Sequence, residues 1–410
     1  MTVRDQGGGT SYNDVLRGLE EFLVHEVDRL HEDNAWLDDP RRVYDEHGHH
    51  SPDTLALLRQ VRTRSAAAGY YTMALPSDLG GSDLGYEGML LAWELLFKHC
   101  GSKRWLGYVA MAHWSKGASP LLRHATAAAR EKVLAGLVAG EQTMCFAMSE
   151  PDAGSDAWMI RTRATRVDGG WTLSGSKQWI SNGAGADLAV VVAVTDPEIF
   201  GNRKGGVGAF LVDTASPGFT VAGTSPMFGN LGADEAILHL DDVFVPDDHV
   251  LGDPAQGFAI AMEGVSFGRV YNCGKAVGIA RWALDKALEY TQTRRAFGRE
   301  IAAHQAIGFR LADAAIGIQS ARLVALNTAR LLDAGRPARK ELAMAKVLAT
   351  DNALRVIDSA MQAHGAMGFT NEVGLAKAHQ MIRTLEVADG TSEILRRQIA
   401  KQLLRGDTSL

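Results

Sequence analysis

The segment RTLEVADGTSEILRR, residues 383–397, sets a lone carboxylate, Asp389, directly before Gly390-Thr391 and a helix-like run. A carboxylate there has two employments: it caps the helix, or it is the general base for a bound molecule. Two stretches in the middle of the chain also gather chemistry-bearing residues. CFAMSEPDAGSDAWMIRTR (145–163) carries Ser149 and Ser155 among tight-turn glycines. GSKQWISNG (175–183) follows at hairpin distance with Trp179 and Ser181. Alone, the first stretch has a polar bend as its lesser alternative. Together they offer a planar aromatic, hydroxyls and backbone N–H groups. That set suits a flat heteroaromatic ligand with carbonyl and ring-nitrogen edges, such as a flavin. Farther on, TRRAFGREIAAHQAIGFRLAD (293–313) puts Arg294 and Arg295 ahead of Phe297-Gly298, with Gln305 beyond. An arginine beside a glycine turn suits a pyrophosphate; a basic helix end is the plainer alternative.

Other chemistries are excluded. GAGADL (183–188) lacks the third glycine of a dinucleotide fingerprint and runs into the strand-like AVVVAV, and there is no P-loop. His47, His49 and His50 in EHGHHSPD lack partners at ligand spacing, so they read as a solvated loop and no metal site is expected. A net charge of −6 and a pI near 6.1 leave no footprint for nucleic acid. Three scattered cysteines, Cys100, Cys145 and Cys273, argue for a reducing compartment and against a disulfide framework. MTVRDQGGGTSYND has no apolar core of a leader, and no apolar run approaches the roughly 18–20 residues that span a bilayer. A cytoplasmic protein without membrane contact is expected.

The elements that must position these residues change character along the chain. Residues from about 11 to 145 read as helical: Leu16, Leu19, Phe22, Leu23 and Val27 recur at helical spacing. Ser51 and Pro52 read as the cap and first residue of a helix that Gly69 stops. LPSDLGGSDLGYEG (75–88) reads as a loop ahead of the apolar helix MLLAWELLFKHC. From 146 the segments are short and β-branched, and Asp168-Gly169-Gly170 marks a hairpin. From about 255 the helical period returns, with two long Ala- and Leu-rich helices separated by Gly335 and Pro337. Helices so rich in alanine are expected to pack on several neighbours, subunits included. The expected domains are residues 1–145 (helical), 146–252 (β) and 253–410 (helical).

MSEPDAGSD, GSKQWISNG, RRAFGREIAAHQ, QAHGAMGF and ADGTSEI occur in the order and at the separations of the acyl-CoA dehydrogenase family. With LPSDLGGSDLG, the resemblance spans about residues 15 to 405. It implies a mixed α and β (α+β) fold: an N-terminal helical domain, a middle antiparallel β domain and a C-terminal four-helix bundle. It also implies non-covalent FAD and a homotetramer, with a dimer as the smaller assembly. The implied reaction introduces an α,β double bond into an acyl-CoA thioester, as in fatty-acid β-oxidation, with electron-transferring flavoprotein as partner.

Carried over by residue, Phe146, Met148, Ser149 and Ser155 resemble the strand and loop against the flavin ring and pyrophosphate. Trp179 resembles the aromatic beside the ring, and Ser181 the hydroxyl near its N5 edge. Arg294, Phe297 and Gln305 resemble residues that reach the FAD of a neighbouring subunit, and Gln362, Gly365 and Ala366 the adenosine-side turn. Thr391 and Glu393 match the helix start over the pyrophosphate. Ser155, Arg269, Ala388 and Gly390 are implied on the substrate side, with Arg269 near the thioester end. Asp389 stands where the family carries its base, usually Glu. The resemblance implies that it takes the α-proton while flavin N5 takes the β-hydride, the thioester carbonyl being polarised by hydrogen bonds. Burial is expected to raise its pKa from the ordinary value of about 3.9. Gly268, the position that carries the base in some branches, cannot serve. Gly268 and Ala388 would widen the acyl pocket, whereas AMAHWSKGASP reads as a helix bringing His113 and Trp114 toward it.

Two other readings keep the fold: action on a carrier-protein-bound acyl thioester, or a flavin oxidase or monooxygenase. The retained base position argues against a monooxygenase. A non-catalytic flavin-containing DNA-binding relative is set aside because no basic extension follows AKQLLRGDTSL.

Overall fold

The computed structural model describes residues 12–227 and 235–409, so the stretch read above for a leader lies largely outside the described residues. Helices α1 (Tyr12–Phe22), α2 (Arg29–Asp33), α3 (Pro40–Val43), α4 (Pro52–Ala67), α5 (Gly85–Cys100) and α6 (Ala127–Val138) come first. Strands β1 (Met144–Ala147), β2 (Arg163–Val167), β3 (Gly170–Ser181) and β4 (Leu188–Val194) follow. The short α7 (Pro197–Gly201) leads to β5 (Val207–Asp213), β6 (Phe219–Ser225), β7 (Glu235–Pro246) and β8 (Val250–Leu251). The 37-residue helix α8 (Gly257–Thr293) ends at a small hairpin, β9 (Arg295–Ala296) and β10 (Arg299–Glu300). Then come α9 (Gln305–Asp333), α10 (Arg339–His364), α11 (Leu375–Arg383) and α12 (Ser392–Leu404). The chain divides into two compact units, one of Met1–His31, Leu84–Tyr108 and Arg269–Leu410, the other of Glu32–Asp83 and Val109–Gly268.

The second unit holds the sheet, in the order β6-β7-β3-β2-β4-β5-β8. Its pairings are antiparallel except where β1 and one residue of β2 run parallel to β4. The continuous apolar run LAVVVAV becomes β4, buried end to end, and its alternate residues feed opposite faces. Leu188 and Val190 pack with Leu79, Leu121 and Leu211, whereas Ala189 and Val191 pack with Leu173, Phe210 and Leu238. The β2–β3 turn falls at Asp168-Gly169, with Gly169 at φ +75 where a glycine is favoured. α4 starts as its sequence predicts: Ser51 Oγ accepts the Thr54 N–H at 3.4 Å and Pro52 opens the helix. The stretch around His113 and Trp114 does not form the expected helix. His113 Nδ1 takes the Ser115 N–H at 3.3 Å, and the N–H groups of Lys116 and Gly117 return to the His113 carbonyl. Local side-chain bonds of this kind close a turn at the expense of a helix.

In the first unit α5 begins at Gly85, inside the stretch that reads as a loop. The reason is a cap from far along the chain. Asp333, the last residue of α9, accepts the N–H groups of Tyr86 at 2.6 Å and Glu87 at 2.9 Å. α8 comes so close to α5 that a Cβ on Gly278 would meet the Glu94 carbonyl and the Phe97 side chain. Glu94, 2% exposed, is paired with Arg281 of α8 and Arg322 of α9, so one carboxylate ties three helices. α10 packs on α9, α11 and α12, and Ala345, Ala349, Ala353 and Ile357 are all buried. Among the described residues no helix is long and apolar enough to cross a membrane.

Asp333→Ala removes the cap of α5. It should lower unfolding stability by about 1 kcal/mol, read as a lower urea midpoint at unchanged slope; an unshifted midpoint would mean that water caps the helix equally well.

Candidate active site

α11 ends in a 3₁₀ turn, Thr384–Glu386, and the chain turns through residues 387–390 before α12. Thr391 is the cap of α12, its Oγ1 accepting the Ile394 N–H at 3.2 Å. The capping role read for Asp389 therefore belongs to Thr391, because two further residues separate Asp389 from the first free N–H groups. Asp389 lies in the left-handed region at φ +54, which a short Asp side chain enters more readily than most residues. Its carboxylate Oδ2 accepts from Asn272 Nδ2 at 2.9 Å. Its carbonyl accepts from Arg269 Nε at 3.0 Å. The Lys346 ammonium, from α10, donates to the carbonyls of Ala388 and Gly390, the latter at 2.7 Å. Arg269, expected to face the substrate, thus braces the turn as well. Ala388 is exposed and Gly390 partly so.

Burial raises the Asp389 pKa; Lys346, the Asn272 hydrogen bond and Arg269 oppose that rise. The same burial pulls Lys346 down to about 8, with Asp389 working against the fall and Arg269 adding to it. Arg269 is lowered by burial and partly restored by Asp389. Desolvation penalises each charge, and the neighbouring opposite charge offsets part of the penalty. Sequence reasoning missed Lys346 and Asn272. The signal for Lys346 was its place in AMAKVLAT, one turn from the buried Ala343 and Ala349. The signal for Asn272 was its spacing of one helical turn from Arg269.

The second unit gathers the other predicted residues. Lys177, fully buried, donates to Glu150 Oε1 at 2.8 Å and to the Met148 carbonyl at 3.0 Å. Glu150 also accepts the N–H groups of Arg161 at 2.6 Å and Thr162 at 3.0 Å. Burial brings Lys177 to about 8 despite Glu150. Glu150 itself sits low: burial pushes it up, but Lys177 and the hydrogen bonds win. With Gln178 N–H bonded to the Ser149 carbonyl at 3.0 Å, the loop carrying Met148, Ser149 and Ser155 is fastened to the end of β3. There the β3–β7 register slips between Lys177 and Ile180, and Trp179 adopts φ +64 with 52% of its surface exposed. Left-handed backbone is uncommon at a residue other than glycine, and here it coincides with the register slip. Ser181 Oγ bonds Glu235 Oε1 at 2.8 Å. Phe146 packs on Trp114, 4.9 Å between rings. Trp114 is 7% exposed and its ring fills the space where a Cβ on Gly264 would stand, so it is a core residue.

The remaining predicted residues lie at helix ends of the first unit. Arg294 follows α8; Phe297, 95% exposed at φ +53, tips the β9–β10 hairpin; exposed Gln305 opens α9. Gln362, Gly365 and Ala366 sit where α10 ends, with Gly365 at φ +59. Exposed Glu393 is held below the usual carboxylate range by hydrogen bonds from its own N–H and Thr391. Asp45 takes the N–H groups of His47 and His49, and His50 stacks on Tyr44. Among the described residues no group of three or more His, Cys, Asp or Glu could hold a metal ion.

Profiles of the acyl-CoA dehydrogenase N-terminal, middle and C-terminal domains match residues 35–141, 145–243 and 255–404. The human mitochondrial short-chain specific acyl-CoA dehydrogenase is 36% identical over 337 residues, 82% of this chain and 80% of the relative. Among solved structures, butyryl-CoA dehydrogenase from Megasphaera elsdenii is similar at TM-score 0.82 and 28% identity, over 98% of this chain and 100% of that one. An FAD complex of PigA is similar at TM-score 0.85 and 26% identity, over the same shares of the two chains. Three consecutive domain matches that embrace the Asp389 turn, the Lys177 loop and the Phe297 hairpin make this chain a member of the acyl-CoA dehydrogenase family.

Proposed function

We propose that this chain is an FAD-dependent dehydrogenase that introduces an α,β double bond into an acyl-CoA thioester, with Asp389 as its base. One observation carries the reading. At the position where the family bears its base stands a carboxylate with a raised pKa, one oxygen held by Asn272 and the other without a hydrogen bond among the described residues.

The donor set suits FAD. Trp179 offers an exposed flat ring, Ser181 a hydroxyl two residues on, and Ser149 a hydroxyl on the loop that Gln178 fastens; Ser155 is assigned by family likeness. The start of α12 presents N–H groups and the positive end of a helix dipole to a phosphate. Exposed Arg294 and Gln305 add a cation and an amide, and Phe146, Met148, Phe297, Gln362, Gly365, Ala366, Thr391 and Glu393 complete the assigned set. Bound FAD supplies the acceptor for the hydride that leaves the β-carbon.

The chain's own part is acid–base and electrostatic. The unbonded oxygen of Asp389 accepts the α-proton. Burial makes that oxygen more basic than an ordinary carboxylate, and Lys346, the Asn272 hydrogen bond and Arg269 oppose part of the rise. The Asp389 N–H makes no backbone hydrogen bond among the described residues. It is assigned to the thioester carbonyl, where charge develops as the α-proton departs. Ser155, Arg269, Ala388 and Gly390 are assigned to the substrate side. Electron-transferring flavoprotein is the proposed acceptor, by family likeness. Exposed Phe309, Ile316 and Leu323 recur every seventh residue along α9, an apolar stripe that supports packing of further copies of the chain into a tetramer.

Asp389→Asn should keep its yellow colour and lose substrate-driven flavin bleaching by about 10²–10⁴-fold; bleaching at the parental rate would remove Asp389 from the chemistry. The parental rate of flavin reduction should fall as the medium is acidified through the Asp389 pKa, because only the carboxylate accepts a proton. That limb lies above the ordinary 3.8, since burial raises the value; a limb at or below 3.8 contradicts the assignment. Ile316→Asp should shift the mass seen by light scattering toward smaller species, and an unshifted mass would acquit the α9 stripe.

A further inference from the structure

We infer that Asn272 and Lys346 are positioning residues for the base: Asn272 selects which carboxylate oxygen of Asp389 takes the proton, and Lys346 fixes the turn that carries it. The inference rests on Asp389 being the base.

Asn272 stands on α8 one helical turn beyond Arg269, and both side chains serve the same residue. Asn272 is 1% exposed. A buried amide must spend its donors within the protein, and this one spends Nδ2 on Asp389 Oδ2. A hydrogen bond to Oδ2 restrains rotation of the carboxylate and leaves Oδ1 the less encumbered oxygen for the reaction. Lys346 is likewise 1% exposed, and its ammonium grips the carbonyls on either side of Asp389. Together with Arg269 it accounts for three successive carbonyls, those of residues 388, 389 and 390. Left-handed backbone is uncommon at a residue other than glycine, and three braced carbonyls hold it here.

The need for such bracing follows from the length of the base. Asp lacks one methylene of the usual Glu, so its reach is set by where the backbone stands. A misplacement of about 1 Å costs on the order of 100-fold in rate. The groups that act on Asp389 are Arg269 and Asn272 from α8 and Lys346 from α10, and Lys346 in turn feels Cys273 of α8 and Glu386 of the preceding 3₁₀ turn. Among the described residues, Asn272 alone bonds the carboxylate itself.

The test is stopped-flow reduction of purified holoenzyme by an acyl-CoA that bleaches the parental flavin, run across pH. Asn272→Leu should retain full flavin content, lose about 10–100-fold in reduction rate, and move the acid limb to higher pH, because the lost hydrogen bond favoured the charged carboxylate. Lys346→Met should move the limb the same way. Should that variant fail to fold, Lys346→Gln, which keeps a donor but not the charge, must show the upward move. An unmoved limb in Asn272→Leu, with the rate unchanged or lowered evenly at every pH, overturns the inference while leaving Asp389 as base. Parental flavin that no acyl thioester bleaches removes the base assignment and this inference with it.

Discussion

A carboxylate held in a left-handed turn between buried cations is the constraint on which the first unit depends. Removing a charge from water costs several kcal/mol even after relaxation. Asp389, Arg269 and Lys346 tolerate that cost only because each lies beside an opposite charge or a carbonyl. Their elements must then be fixed to within a fraction of an ångström. α8 is fixed by its glycine-mediated approach to α5 and by Glu94, whose carboxylate also holds α9. α10, which delivers Lys346, is packed on α9, α11 and α12. The helical bundle is therefore the scaffold for one turn of irregular chain.

The second unit repeats the device with other residues. Lys177 is fully buried, sits near pKa 8, and holds a carbonyl and a carboxylate of a loop that has no ladder of its own. Irregular backbone inside a protein leaves polar groups that a sheet or helix would have satisfied. A buried lysine satisfies several at once, with three donors on a flexible stem. In both units the lysine lies in a regular element and its acceptors in a loop carrying candidate site residues. Rigidity passes from element to loop through the ammonium.

What was legible in the sequence was what is local. Ser51-Pro52 opens α4 and Asp168-Gly169 turns β2 into β3, because caps and turns are settled by residues within four positions of one another. The continuous apolar run that became β4 declared its burial on both faces. The start of α5 was not legible, since its cap comes from Asp333, 247 positions away. His113 and Trp114 misled for the opposite reason: a stretch read as helical was overruled by the bonds between His113 and Ser115. The base was visible only through the family motif around it. Nothing in periodicity says that Asn272 and Lys346, 74 positions apart, converge on one residue.

The way Lys346 is employed explains how Asp389 can be both held and basic. An ammonium bonded directly to the carboxylate would stabilise its charged form and compete for the lone pair that must take a proton. Here the ammonium bonds the neutral carbonyls of residues 388 and 390, and Arg269 bonds that of 389. The cations act on the carboxylate across space and oppose the rise of its pKa, while desolvation remains the larger influence and leaves it raised. Among the described residues the hydrogen bond to the carboxylate comes from an uncharged amide, and it goes to one oxygen of two. Position is thus secured through the backbone and basicity preserved at the side chain. A short acid in a left-handed turn allows that division, because its carbonyls and its carboxylate are presented to different partners.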